Sequence, residues 1–296
     1  MAMAMANPPA LELPAPRPLP HPQLFPAAAA GDTGRLRLLR NEEGADLFAA
    51  DGDGTPALAL AAAEGHLEAL GVFLETGPPS EQLDHGLVEA IRGGHRPCAE
   101  ALLAAGANPA GVFVLETAVR AARDRDDPAS LLLCLGALAA RGRASLGAGL
   151  ADPADLHFAF SHAVTEAARA DTLGPLAALL EFGRWAAGEG GAGPPEFLRW
   201  AASRAFVGAA VIRAEEWDAA GWAPVARLLA RGGADPQLAL ARLDSHPPPA
   251  AEARRARVQE AWAAAAPPRW GAAEEAALDA EAAPLLQELG GLLAGV

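Results

Sequence analysis

Apolar residues along the first third of this chain recur at three- and four-residue spacing in short bursts, and each burst is closed by glycine. Leu58 is followed by Ala61 and Ala62, and Leu87 by Ala90, so each set lies on one face of a helix. Gly65-His66 and Gly94-His95 then interrupt the pattern, because glycine accepts the backbone conformation that a tight turn requires. A second apolar stretch follows each interruption, Val72 to Leu74 and Leu102-Leu103, and ends at Gly77 and Gly106. The pattern predicts a helix–turn–helix unit, with alanines that let a neighbouring helix approach closely. One such unit cannot bury its apolar face alone, so at least about three must stack.

The spacing returns elsewhere with decay. Gly31-Asp32, Leu36, Leu38-Leu39 and Gly44-Ala45-Asp46 read as the second half of an N-terminal unit. Val164, Ala167-Ala168, Asp171-Thr172, Leu176, Leu179-Leu180 and Gly183 restore the full spacing. Leu228-Leu229 followed by Gly232-Gly233-Ala234-Asp235-Pro236 closes another unit, as Gly106-Ala107-Asn108-Pro109 does earlier. Residues 115–142 form a poorer copy, with Arg125-Asp126-Asp127-Pro128 at the turn between helices. Together with Gly54-Thr55-Pro56-Ala57-Leu58, these residues resemble the ankyrin-repeat family over roughly positions 26–240. The resemblance implies an all-α, ankyrin-like helix-turn-helix repeat solenoid of about six units, with a helical C-terminal cap. It also implies a non-catalytic protein–protein interaction scaffold or adaptor. The alternative is a dedicated regulatory or substrate-presenting subunit of an enzyme complex such as a ubiquitin ligase or protease. The family's Thr-Pro-Leu-His opening is half present: Thr55-Pro56 sits one residue early, and Ala59 or Glu89 stands where histidine is usual. Insertions at 143–156 and 184–196 are expected to form loops on one face.

Three stretches follow from this reading: a tail over 1–25, the solenoid over 26–245 and C-terminal helices over 246–296. Prolines 8, 9, 14, 16, 18, 20 and 22 exclude helix from the tail and favour an extended, disordered segment. Arg17-Pro18-Leu19-Pro20 approaches a ligand for a proline-recognising domain, but Gln23 occupies the second anchoring position. After His246-Pro247-Pro248-Pro249, helices are predicted over Ala250–Ala266 and Ala272–Leu293, interrupted at Pro267-Pro268 and Pro284. Leu285, Leu286, Leu289, Leu292 and Leu293 recur at helical spacing. That helix reads either as a cap over the open end of the solenoid or as an amphipathic helix offered to a partner's groove.

Composition narrows the chemistry. Of 296 residues, 51% are hydrophobic, which is ample for a buried core. Lysine is absent, and arginine supplies all 23 positive charges. Without lysine there is no Walker A loop, no Schiff base and no kinase ion pair. The net charge of −14 argues against nucleic acid, since phosphate binding requires a basic face. The densest basic spot, Arg254-Arg255 with Arg257, is flanked by Glu252 and Glu260 and reads as a solvated helix face. Met1 to Ala6 lack both a basic n-region and a long apolar h-region, so secretion is not expected. The longest apolar run, Ala129 to Ala140, is too short to span a bilayer. Cys98 and Cys134 read as small buried residues rather than a disulfide. The expectation is an intracellular, cytoplasmic monomer whose partners are other proteins.

No catalytic, metal or cofactor constellation emerges. Gly188, Gly190 and Gly193 match G-x-G-x-x-G, but no strand precedes them and Pro194-Pro195 follow. Asp51-Gly52-Asp53-Gly54 opens like a calcium loop, but Pro56 and Ala62 occupy the sixth and twelfth positions. His157 and His162 are five apart, whereas a zinc helix places them four apart. For partner binding, the candidates are Asp51 and Asp53 at a loop tip, with Glu64, Glu89, Arg92, Arg120, Arg123 and Arg169 on polar stretches of first helices. Phe197, Trp200 and Ala201 follow core spacing. Trp217 and Trp222 flank a polar break, where exposure would make them anchors and burial would make them core.

Overall fold

Five times among the described residues a helix is stopped by one left-handed residue and restarted almost at once. Gly31, Gly65, Gly94, Asp126 and Asp171 hold this position, with φ of 70, 76, 79, 52 and 53°. In four of the turns the next amide reaches back to a carbonyl five residues earlier, as His66 does to Ala61 at 2.9 Å and His95 to Ala90 at 2.8 Å. That bond closes the preceding helix and lets the chain reverse within two residues. Aspartate serves in the later turns because, with asparagine, it is among the non-glycine residues that best tolerate the left-handed region.

The computed structural model describes residues 21–142, 145–146, 155–188, 196–212, 219–235, 255–256, 258–260, 262–263 and 271–296. The proline-rich stretch 1–20, Trp217, Gly190, Gly193 and much of the helix predicted at 250–266 lie outside the described residues. The first helices of the units are α1 (Leu24–Ala29), α3 (Ala57–Ala63), α5 (Ser80–Gly93), α7 (Val112–Arg125), α9 (Asp155–Arg169) and α11 (Glu196–Ile212). Their second helices are α2 (Thr33–Asn41), α4 (Leu67–Leu74), α6 (Arg96–Ala104), α8 (Ala129–Ala139), α10 (Leu173–Ala187) and α12 (Ala219–Arg231). First helices stack on first helices, and second helices pack on second helices, in chain order. The fold is an all-α, ankyrin-like repeat solenoid, with no strand among the described residues beyond the isolated bridge Ala50–Pro56. The N-terminal half-unit read from sequence is a whole unit, because α1 precedes α2 and buries Leu24, Ala27 and Ala28. The poor copy at 115–142 is likewise a regular pair, α7 and α8.

Successive turns are braced to one another. The His66 ring covers Gly31 and places Nε2 3.0 Å from the Ala29 carbonyl. His95 covers Gly65 in the same way, and Arg125 takes over at Gly94, donating to the Arg92 and Ile91 carbonyls at 2.5 Å each. The glycines are therefore required twice, for the backbone angle and for the ring lying against them. Packing changes character along the stack. Phe73 is the one fully buried aromatic among the described residues of the first four units, whereas Phe160, Phe182, Phe206 and Trp222 all fill the last two.

The last helix, α13 (Ala272–Ala294), runs unbroken through Pro284, contrary to the interruption predicted there. Pro284 faces solvent, so the lost backbone donor costs one bond on the wet side. Leu278, Ala282, Leu285 and Leu289 on the other side form one buried stripe across it. This stripe packs along α10 and reaches α8, so α13 covers the outer side of the second-helix layer. Its first turns are clasped by α12: Arg227 pairs with Glu275 at 2.6 Å, and Arg231 bridges Asp279 at 2.6 Å and Glu275.

Candidate functional site

The first helices present one long side to solvent, and its chemistry is set by residues three and four apart on each helix. On α7 the outward stripe runs Phe113, Glu116, Arg120, Arg123, exposed except at half-buried Glu116; on α9 it runs Phe158, His162, Glu166, Arg169, half-buried except at exposed Phe158. Arg120 donates to Glu166 across the two helices at 3.0 Å and pairs with Glu116 at 2.7 Å on its own. Arg123 holds Asp124 at 2.6 Å and lies 3.5 Å from Glu166. These contacts push both guanidinium pKa values up, through the hydrogen bonds to Glu166 and to Asp124 respectively, and hold the Asp124 carboxyl below its usual range. Two arginines thus meet three carboxylates, so the cluster is nearly neutral in sum.

Between α9 and α11 the contacts are part polar and part aromatic. Arg204 donates to Ser161 at 3.1 Å, approaches His162 at 3.3 Å and stacks 5.6 Å from the centre of the Trp200 ring. Trp200 in turn lies 4.6 Å from His157. The two histidines are therefore engaged separately. Among the described residues no group of three or more His, Cys, Asp or Glu side chains is placed to hold a metal ion.

The remaining sequence candidates are spread out. Asp51 accepts from the amides of Asp53 and Thr55, both at 2.9 Å, and so braces its turn, leaving Asp53 at the exposed tip. Glu64 ends α3 and is exposed. Glu89 is half-buried and paired to exposed Arg92 at 2.5 Å on α5. Arg169 is half-buried against Gly208 of α11. Arg120, Arg123 and Arg169 thus join one surface with Glu166, while Glu89 and Arg92 sit on α5 of the preceding unit. Trp222 requires correction as a surface anchor: it is only 2% exposed and meets Phe206 edge-on at 5.0 Å. Its indole is buried where α12 meets α11, so it serves the core.

Two residues that the sequence reading passed over stand out. Phe113 is 70% exposed and Phe158 is 44% exposed. Phe113 precedes Arg120 by seven residues and Phe158 precedes Glu166 by eight, so the rings sit at one level, about two turns above that ion pair. The signal was available, since each phenylalanine falls on the polar stripe of its helix.

No family model matches the chain, and no curated protein matches it. Among solved structures it is similar to the human ASB11 ankyrin repeat domain, at 18% identity over 80% of this chain and 98% of that one, with a TM-score of 0.44. It is also similar to a chain from the complex of the Bd0816 predatory endopeptidase of Bdellovibrio bacteriovorus with immunity protein Bd3460. That match has 22% identity over 56% of this chain and 83% of the other, with a TM-score of 0.38. No helix among the described residues is long and apolar enough to cross a membrane.

Proposed function

We propose that this chain is a degenerate member of the ankyrin-repeat family and works as a non-catalytic protein-recognition scaffold, an intracellular monomer that uses its first-helix side. The observation that carries this reading is the pair of exposed phenylalanines, Phe113 and Phe158, level on adjacent first helices above the Arg120–Glu166 network. Large apolar side chains standing in a polar, internally paired surface are the usual composition of an interaction patch, with aromatic anchors inside a charged rim. The net charge of −14 directs the surface toward proteins rather than nucleic acid or anionic lipid. Affinity capture from native extract tests the reading, with the full chain beside the double variant Phe113→Ser, Phe158→Ser. Partners recovered by the natural chain and lost from the variant support it. A chain that recovers no partner, or a variant that recovers the same set, refutes it.

A further inference from the structure

A second surface lies on the opposite side of the solenoid, where α13 crosses the second-helix layer. Beyond the edge of α13 the apolar surface does not stop. Leu132, Leu133 and Ala137 of α8, with Leu103 of α6, continue it as a groove of about 620 Å³, closed on one side by Leu292 and Val296 of the α13 end. Leu292 is 42% exposed and Val296 63% exposed, although both face this groove. Helix α8 contributes no charged side chain at all.

The charge around the groove is one-sided. Helix α13 carries five carboxylates and no basic residue. Glu275 and Asp279 are taken by the arginines of α12. Glu274, Glu281 and Glu288 recur every seven residues and so lie in one exposed row along the helix. Glu281 and Glu288 make no ion pair among the described residues, and Glu288 stands at the groove itself. On the far rim Arg96 is already paired with Glu100 at 2.8 Å.

We propose that this groove docks an amphipathic helix of a protein partner, leucine-like on the face it buries and lysine- or arginine-bearing where it passes the α13 carboxylates. The groove is lined by α13 on one side and α6 on the other, so a helix laid beside α13 would extend the layer that α13 already begins. The unpaired acidic row selects cations on that helix. A second copy of this chain is a poor occupant, since it would bring −14 of like charge and no lysine. Trp262, the described aromatic after α12, packs on Phe206 of α11 at 5.4 Å and is not among the residues lining the groove. This inference rests on the scaffold reading and adds to it a second face and a class of partner.

The test uses the full chain and a fluorescein-labelled peptide of leucine and lysine, about 18 residues long, with leucines at helical spacing. A scrambled peptide of the same composition and a leucine–glutamate peptide serve as comparisons. The leucine–lysine helix is expected to bind about tenfold or more tighter than the scrambled one, and Leu292→Asp or Glu288→Lys to remove about tenfold of that affinity. Ala137→Arg, on the α8 wall, is expected to weaken binding similarly and does not depend on α13 staying in place. Equal binding of the scrambled peptide, or indifference to all three substitutions, overturns the groove. Extract capture run in parallel separates the two ideas. Without peptide selectivity, partners that still depend on Phe113 and Phe158 overturn the groove and leave the scaffold reading; no partner at all overturns both.

Discussion

Replacing Gly65 by alanine separates the two demands that the repeat turn makes on its glycine. Gly65 has φ of +76°, and an added Cβ would come within 2.7 Å of His95 Cε1 and 2.8 Å of Cγ, and closer still to Nδ1. Gly77 ends the next helix with φ of +68° and nothing within 4 Å of the same added atom. Alanine in the left-handed region costs about 1–2 kcal/mol at either site. At Gly65 the imidazole must also leave its seat, an overpacking cost of about 1–3 kcal/mol. The expected losses are therefore about 1–2 kcal/mol for Gly77→Ala and about 2–5 kcal/mol for Gly65→Ala. Urea unfolding of the full chain, followed by far-ultraviolet circular dichroism, measures both. A His95→Ala background completes a double-mutant cycle, in which truncating the ring returns Gly65→Ala to the Gly77→Ala cost. Coupling of about 1 kcal/mol or more is expected. Equal losses at the two glycines, or strict additivity with His95→Ala, would refute the ladder of rings on glycines as a source of stability between repeats.

Trp222→Ala should remove about 3–5 kcal/mol by opening a cavity beside Phe206. A variant that keeps its unfolding midpoint while losing a partner would put the indole back on the surface. Leu289→Ala, on the fully buried face of α13, should cost about 2–5 kcal/mol and make the segment after α12 protease-sensitive; unchanged digestion would mean that α13 is held by its ion pairs alone. Burial pushes the Cys134 thiol up to about 12 and raises Cys98 as well. The folded chain then keeps these protons longer than the unfolded one, so stability is unaffected below the ordinary thiol range and falls as pH rises from about 9 toward about 12. Thiol reagents at about pH 8 should label neither cysteine until urea is added; labelling of native Cys134 would contradict its burial.

Most of the solenoid was legible along the chain because its signals are local. A left-handed turn residue, an alanine three positions from a leucine and a glycine after the second helix each act within one unit, and backbone sterics read them without help from elsewhere. The reading weakened where Asp126 replaced glycine, since composition alone does not reveal that the same backbone angle is being met. It failed for Phe113 and Phe158, which look like core residues until the phase of their helices is tracked against Arg120 and Glu166.

Tertiary structure decided what joins one unit to the next. His66 meets a carbonyl 37 positions away, and Leu285 lies over Gly174 from the far end of the chain. No periodicity encodes which glycine a given imidazole will cover, or which side of the stack a leucine-rich helix will choose. The leucine stripe of α13 could equally have covered the end beyond α12. Its place is set by the apolar outer face of α10 and by Arg227 and Arg231 meeting Glu275 and Asp279. Those surfaces exist only after the repeats have stacked, because burying apolar area requires a partner surface already in place.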